Sequence, residues 1–374
     1  MTATAAAAGV TVREARAGDG DALLALARAC PMRGDITLRV EREPDFFTMD
    51  RLLGDPWQVA VAARGDVVVG CIAMAARETY LHGRPARTTY VGDLKVHPAH
   101  RDGAAADALI RHASAWCGDH GGMHVPMLFT ILSGNRRMER RIPGVRGLPT
   151  FTRFATLRAY TAPLPRRRAV RAAAWRVAPA TSSDIDEMIT LWQRVASQRN
   201  FARLFDEQRL LHWLGEAPGL GVSDYLVARR PDGRIAGFLA VWDTSALHTL
   251  RVLRYSHRLA AFRVLHNAVA PLLGSAALPV RGAPLRTCTA LHVCVPPGEP
   301  AVLHALLVRA MELARTARCT AFTVGLDVRD PLTVALHGLL GQPATVHAYV
   351  TSPSGRYDGP PLDDFPLHHE VALI

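Results

Sequence analysis

The feature that most constrains this chain is that its second half repeats its first. Val12-Arg13-Glu14-Ala15-Arg16-Ala17-Gly18-Asp19-Gly20-Asp21 aligns without a gap on Val177-Ala178-Pro179-Ala180-Thr181-Ser182-Ser183-Asp184-Ile185-Asp186, keeping Ala15/Ala180, Asp19/Asp184 and Asp21/Asp186 at an offset of 165. Val69-Gly70 matches Ala236-Gly237 at an offset of 167, and Arg87, Val96 and Pro98 match Arg286, Val295 and Pro297 at an offset of 199. Each match is short; their shared order and spacing point to two copies of one unit. The 374 residues, 49% hydrophobic and 21% charged, suffice for two cores of that kind.

Within the first copy the pattern alternates between strand and helix periods. Residues 1–9 are an Ala-rich tail. Val10 to Ala15 reads as a strand, and Gly18-Asp19-Gly20-Asp21 caps a helix that carries Leu23, Leu24, Leu26 and Ala27. Pro31 to Trp57 is irregular; a helix is predicted from Asp45 to Leu53, and the segment is the natural lid or acceptor-pocket wall, with Phe46 and Phe47 as core candidates. Gln58 to Ala63 and Val67 to Ala75 form a hairpin about Arg64-Gly65-Asp66. A strand from Arg87 to Val96, a helix from Ala104 to Cys117, a strand from Pro126 to Leu132, a basic helix from Arg136 to Arg141 and two extended segments through Tyr160 complete the unit. The expected fold is α/β: each half a mostly antiparallel mixed sheet with one βαβ crossover and flanking helices. The expected divisions are a first domain over 10–160, a linker over 161–175 and a second domain over 176–374 with a helical insertion near 245–283.

The stretch from Asp93 to Ile110 carries the chemistry of the first half. It reads as strand, loop and helix, and the first turn of that helix, Gly103-Ala104-Ala105-Ala106, leaves backbone N–H groups unpaired and uncovered by side chains, which suits a phosphate. A plain turn between strand and helix has the same composition. In the second copy His292 replaces Asp93, Pro300 replaces Arg101 and Ala301 replaces Asp102. Proline has no N–H to offer. The second copy keeps the fold signal and loses the phosphate-loop signal.

Leu94-Lys95-Val96, then His97-Pro98-x-x-Arg101, then small residues and an Ala108-Leu109-Ile110 helix resemble the acyl-CoA-binding motif of the GNAT superfamily of N-acyltransferases, and the element order extends the resemblance to a tandem pair of such domains. One register places Arg101 and Ala106 at the motif's ends with Ala104 where Gly is usual; a shift of one restores Gly103 and Ala105 and puts His100 first. The resemblance implies that the amides of Asp102, Gly103, Ala104, Ala105 and Ala106 hold the CoA pyrophosphate, that Arg101 adds charge, and that the main chain of Leu94 and Val96 pairs with the pantetheine arm. It also implies that Asn135 faces the cofactor, and it brings acetyl-CoA or another acyl-CoA as co-substrate.

Acyl transfer to an amine needs a neutral nucleophile, a positioned thioester and a route for the proton. Asp93, immediately before the motif, is the first candidate for a base or water-positioning group, ahead of Glu78 and His100; a carboxylate merely satisfied within a strand is the alternative. No Tyr occurs between Tyr90 and Tyr160, so the tyrosine that protonates the leaving thiolate in this family is missing unless Tyr160 reaches in. The sequence therefore leads to an N-acyltransferase, most simply an acetyltransferase, acting on a small-molecule or peptide amine. The loop departures and missing Tyr leave a second reading, a non-catalytic acyl-CoA-binding or regulatory protein.

Composition narrows the partners. The formal charge is +11, and Lys95 is the single lysine beside 43 arginines; such a field speeds encounter with acidic ligands without choosing among them. Arg166-Arg167-Arg168 and the Arg136 to Arg141 segment lack the interleaved aromatics of a nucleic-acid platform, so nucleic acid is not an expected partner. The six cysteines form no C-x-x-C pair, and His368-His369-Glu370 lacks ligand spacing, so neither metal nor disulfide framework is assigned. No apolar run approaches the roughly 20 residues that span a bilayer, and a cytoplasmic protein is expected.

Overall fold

The computed structural model describes residues 9–142, 147–164, 175–273, 276–337 and 342–374. Most of the expected Ala-rich tail and the Arg166-Arg167-Arg168 run lie outside these residues. In chain order the first half comprises β1 (Thr11–Glu14), α1 (Gly20–Ala29), β2 (Ile36–Glu41), α2 (Thr48–Arg51), β3 (Trp57–Arg64), β4 (Val67–Leu81), β5 (Arg84–Val96), α3 (Ala104–Gly121), β6 (Met127–Leu132), α4 (Arg136–Glu139) and β7 (Thr152–Pro163). The second comprises β8 (Arg176–Pro179), α5 (Ile185–Ala196), α6 (Glu207–Glu216), β9 (Tyr225–Arg229), β10 (Ile235–Asp243), β11 (Thr249–Tyr255), α7 (His257–Leu273), β12 (Pro284–Leu285), β13 (Thr287–Cys294), α8 (Pro300–Thr316), β14 (Ala321–Asp327) and β15 (Gln342–Thr351).

The α/β class with a mixed sheet is as expected, but the halves do not keep their strands to themselves. One sheet of twelve strands runs β1-β3-β4-β5-β6-β15-β7-β14-β13-β10-β9-β8. The last strand of each half has crossed over: β15 pairs with β6 from Val346↔Leu132 to Thr351↔Met127, and β7 pairs with β14 from Ala321↔Pro163 to Asp327↔Leu157. The two exchanged strands pair with each other at the centre. Thr161–Pro163, expected at the start of a linker, continue β7, and a single strand stands where two extended segments were expected before Tyr160.

The insertion is also not purely helical. Thr249–Tyr255 is a strand because alternate residues Leu250 and Val252 face a small core with Ile36 and Leu38 of β2, capped by Tyr255 and Leu285. Together β12, β11 and β2 make a three-stranded sheet that joins the lid segment of the first half to the insertion of the second. The Arg251 guanidinium donates to Glu41 at 2.9 Å across it. The lid helix shrinks to the four residues of α2, while Phe46 at 1% exposure fills the core and Phe47 packs on Trp57.

The two faces of the first half's sheet have separate cores. Val59, Val61, Cys71, Ala73 and Tyr90 pack beneath α1 with Leu23 and Leu26, whereas Ala60, Ala62, Ile72 and Met74 pack beneath α3 with Leu109 and Ala113. This is the period-two alternation of strands covered on both sides. No helix among the described residues is long and apolar enough to cross a membrane.

Candidate functional site

The site is built where β5 parts from β6. The two strands pair in parallel at Thr89↔Met127 and Tyr90↔Leu128 only, after which β5 runs on to Val96 paired with β4 alone. A bulge helps to turn it away: the β4–β5 register shifts between Cys71 and Ala73, and Asp93 adopts a left-handed backbone with φ 54°. The Leu94 and Val96 side chains pack on the α3 face.

Past β5 the chain makes a short turn over Pro98–His100 and enters α3 through Gly103, whose φ of 108° few residues other than glycine adopt. The Ala104 N–H is capped by Asp102 Oδ1 at 3.1 Å and the Asp107 N–H by the Gly103 carbonyl at 3.0 Å. The N–H groups of Gly103, Ala105 and Ala106 have no acceptor among the described residues. Arg101 does not turn toward these amides: its Nε donates to the Val96 carbonyl at 2.8 Å, closing the end of β5. The cation beside the amides is instead Arg141, which pairs with Asp107 in the first turn of α3. A Cβ placed on Gly103 would lie 2.9 Å from Arg141 Nη2. Arg64 pairs with Asp102, so each carboxylate here carries its own guanidinium. Unpaired amides, a glycine that keeps the approach open and an adjacent arginine fit a pyrophosphate. Arg141 lies in the segment that the sequence marks as basic, but only folding brings it to α3.

On the other face of the sheet, beneath the lid, lies a buried charged cluster. Asp93 pairs with Lys95 and sits 3.0 Å from Arg42 Nη1, which also lies 3.3 Å from Asp50 Oδ2. Arg42 and Asp50 are 4% and 1% exposed. Burial raises the Asp50 carboxyl above its ordinary range, and burial with Arg42 as a like charge pushes the Lys95 ammonium down to about 8. His248, beyond the lid, is lowered to about 4 by burial and Arg42. Three buried atoms in this region, Arg42 Nε, Asp50 Oδ1 and His248 Nδ1, have no hydrogen-bond partner, a concentration that ordinary interiors do not carry without a ligand or water. His248 also lines a cavity of about 310 Å³ between Thr244 and Ser245 and strands β11 and β12.

The other candidates are elsewhere. Glu78 pairs with Arg87 at the surface, His100 stacks against His97 with ring centroids 5.7 Å apart, and the Asn135 side chain caps α4 by accepting the Met138 N–H at 3.4 Å. Tyr160 packs against the core of the second half, which leaves it in no position to replace the missing tyrosine.

The equivalent place in the second half is closed. There β13 and β14 pair from Thr287↔Ala321 to Thr289↔Thr323 and then part, and His292 has the same left-handed bulge with φ 50°. The gap holds the chain's own C-terminal segment: the His292 N–H donates to Glu370 Oε1 at 3.0 Å, the Leu367 N–H to Asp327 Oδ2 at 2.7 Å, and a Cβ on Gly325 would run into Val371. The His292 ring is bonded to the Tyr225 hydroxyl at 2.7 Å and is 2% exposed.

Residues 22–140, which hold the open cleft, match the Acetyltransferase (GNAT) family. The chain carries a GNAT acetyltransferase domain. No curated protein matches its sequence. Among solved structures it resembles Saccharomyces cerevisiae N-myristoyltransferase with bound myristoyl-CoA, at TM-score 0.63 and 14% identity over 98% of this chain and 91% of that one. It also resembles a probable N-acyltransferase of Enterococcus faecalis V583 (TM-score 0.52, 9% identity) and a GCN5-related N-acetyltransferase from Anabaena variabilis (TM-score 0.52, 12% identity), each over 92% of this chain and 73% of the other. At these identities the likeness shows a shared fold.

Proposed function

We propose that this protein transfers an acyl group from acyl-CoA to an amine, with residues 10–160 as the acyl-CoA half and residues 176–374 as the half that supports it and walls the acceptor site. The observation that carries this reading is the contrast between the two clefts. One, inside the GNAT domain, has unpaired amides at Gly103, Ala105 and Ala106 with Arg141 beside them; the other is filled by Leu367 to Leu373.

In this reading the pyrophosphate sits on those amides, the pantetheine arm runs beside Leu94 and Val96, and the thioester lies at the bulge where Asp93 stands. Asp93, which stands beside Arg42 and Lys95, is suited to receive and orient the acceptor's ammonium. The acceptor enters beside the insertion of the second half, where a cavity of about 310 Å³ is lined by His248 and strands β11 and β12. Small amines and peptide N-termini both fit that description, and the N-myristoyltransferase likeness makes long acyl chains worth testing beside acetyl. Six free cysteines accord with a reducing, cytoplasmic setting.

Thermal unfolding with saturating acetyl-CoA, myristoyl-CoA and free CoA tests the cofactor claim, since a ligand bound only by the native state raises the midpoint. No shift with any of the three overturns it. CoA release against a panel of amino acids, polyamines, aminoglycosides and peptides then separates transfer from binding without turnover.

A further inference from the structure

Of the 44 lysine and arginine side chains, one is lysine. Every other non-histidine ion pair among the described residues is made by arginine, including the buried pairs Arg42–Asp50 and Arg199–Asp330. A guanidinium keeps its proton in proteins, whereas a buried lysine gives its proton up readily. Position 95 thus differs from the 43 arginines in one capacity, the uptake and release of a proton. If Asp93 needed only a positive neighbour, Arg42 already supplies it at 3.0 Å.

The place matches that capacity. Lys95 lies on β5 opposite Cys71 of β4, two residues beyond the bulge, and its Nζ folds back onto Asp93 Oδ1. Its side chain is 17% exposed, sheltered yet reachable. The groups that face it are Asp93 from its own strand, Arg42 from the segment after β2, Asp50 from α2, Cys71 from β4 and Cys30 from the end of α1. Burial pushes the Cys71 thiol up to about 11, so it stays neutral. Burial likewise favours a protonated Asp50 and a neutral Lys95, with Asp93 opposing the latter. Two cations and two carboxyls share one poorly solvated interior, and release of the Lys95 proton removes one buried charge.

We propose that Lys95 is the proton acceptor of the transfer reaction, taking a proton from an acceptor ammonium that the Asp93 carboxylate orients. This rests on the acyl-transfer reading above. The lone pair freed on the acceptor nitrogen forms the C–N bond to the thioester carbon as the C–S bond breaks. The nitrogen's second proton ends on the departing CoA sulfur, and the Lys95 ammonium returns its proton to solvent, so each turnover releases one proton.

The single lysine makes the test unambiguous. Biosynthetic incorporation of lysine labelled with ¹³C at Cε gives one lysine resonance in the whole protein, whose titration reports Lys95 directly. The midpoint is expected near 8, and kcat/KM for CoA release from acetyl-CoA, with the best amine of the panel, is expected to rise with pH through the same midpoint. Lys95→Arg keeps the charge and removes the titration. It should keep the acetyl-CoA thermal shift and lose at least about 100-fold in kcat along with the pH limb. Lys95→Met serves as the second variant if Arg does not fit, with the same expectation. Three results overturn the inference alone: a Cε midpoint at or above about 10, a Lys95→Arg variant within threefold of the parent, or a stable acetyl group found on Lys95 by mass spectrometry. A parent protein that neither binds acetyl-CoA nor releases CoA overturns the transfer reading, and this inference with it.

Discussion

Asp93 and His292 occupy one position in two copies of the same strand, and they share a left-handed backbone, φ 54° and φ 50°, at matching bulges. Their surroundings differ. Asp93 faces Lys95 with one carboxylate oxygen and Arg42 with the other, while His292 is sealed by Tyr225, Trp213 and Glu370. The bulge belongs to the shared architecture; what stands on it distinguishes a working cleft from a filled one.

Removing the carboxylate leaves Arg42 and Lys95 with Asp50 as the one remaining carboxyl of the cluster. Asp93→Asn should therefore lose about 3 kcal/mol of stability, the scale for breaking a buried pair by deleting one partner, read by urea unfolding with an unchanged m value. A loss below about 1 kcal/mol identifies the cluster as solvated, like a surface pair.

Gly103 combines φ 108° with close approach to Arg141. Gly103→Val strains the backbone by roughly 1–3 kcal/mol and pushes the guanidinium off the amides. The acetyl-CoA thermal shift should vanish while the variant remains folded by circular dichroism. A full shift retained by this variant removes the loop from the binding site.

Arg141→Ala isolates the electrostatic part. Affinity for CoA, measured calorimetrically at low and high salt, should fall roughly tenfold at low salt, and the dependence on salt should flatten because one screened attraction has gone. An unchanged salt dependence means that Arg141 serves Asp107 alone.

Acid should unfold the protein in two stages. Burial lowers the His292 imidazole to about 4 and the His248 imidazole to about 4, so below pH 6.5 the unfolded chain takes up protons that the native one refuses. Stability is full above pH 6.5 and falls as pH drops toward 4, by about 3 kcal/mol for each such histidine. Glu370 acts at lower pH. Burial alone raises its carboxyl, but the His368 hydrogen bond and the nearby His292 outweigh burial and hold it at about 2, so its contribution is present above pH 4.5 and is lost between there and pH 2. In denaturation curves collected from pH 7.5 to 3, His292→Gln should reduce the upper slope by about one proton and leave the lower stage in place. An unchanged upper slope places the transition elsewhere.

The local signals were legible where neighbours in sequence are neighbours in space. The hairpin at Arg64-Gly65-Asp66, the helix carrying Leu23 and Leu26, and the strand, loop and helix around Gly103 all follow from alternation, capping and turn chemistry. Ile36 to Glu41 was read as irregular although Ile36, Leu38 and Val40 alternate, because the strand has no partner within its own half; β11 lies more than 200 residues on. The insertion near 245–283 reads as helical, yet Thr249 to Tyr255 is held extended by pairing with β2. Arg42, Asp50 and Lys95 carry no common motif, and Arg141 takes the place beside the amides expected of Arg101 because side-chain reach is settled by tertiary packing.

The crossing of β7 and β15 has a consequence for how the protein is made. Leu132 waits for Val346, a partner about 200 residues later, so the sheet edge beside the cofactor cleft cannot close until nearly the whole chain has left the ribosome. At synthesis rates of roughly 5–20 residues per second, the first half spends about 10–40 s with β6 bare on one side, a span in which a chaperone, or the arriving second half, must guard it. The reward for this delay is that neither copy can come apart while the other stays intact. The ancestral pair of modules has become a single object in time as well as in space.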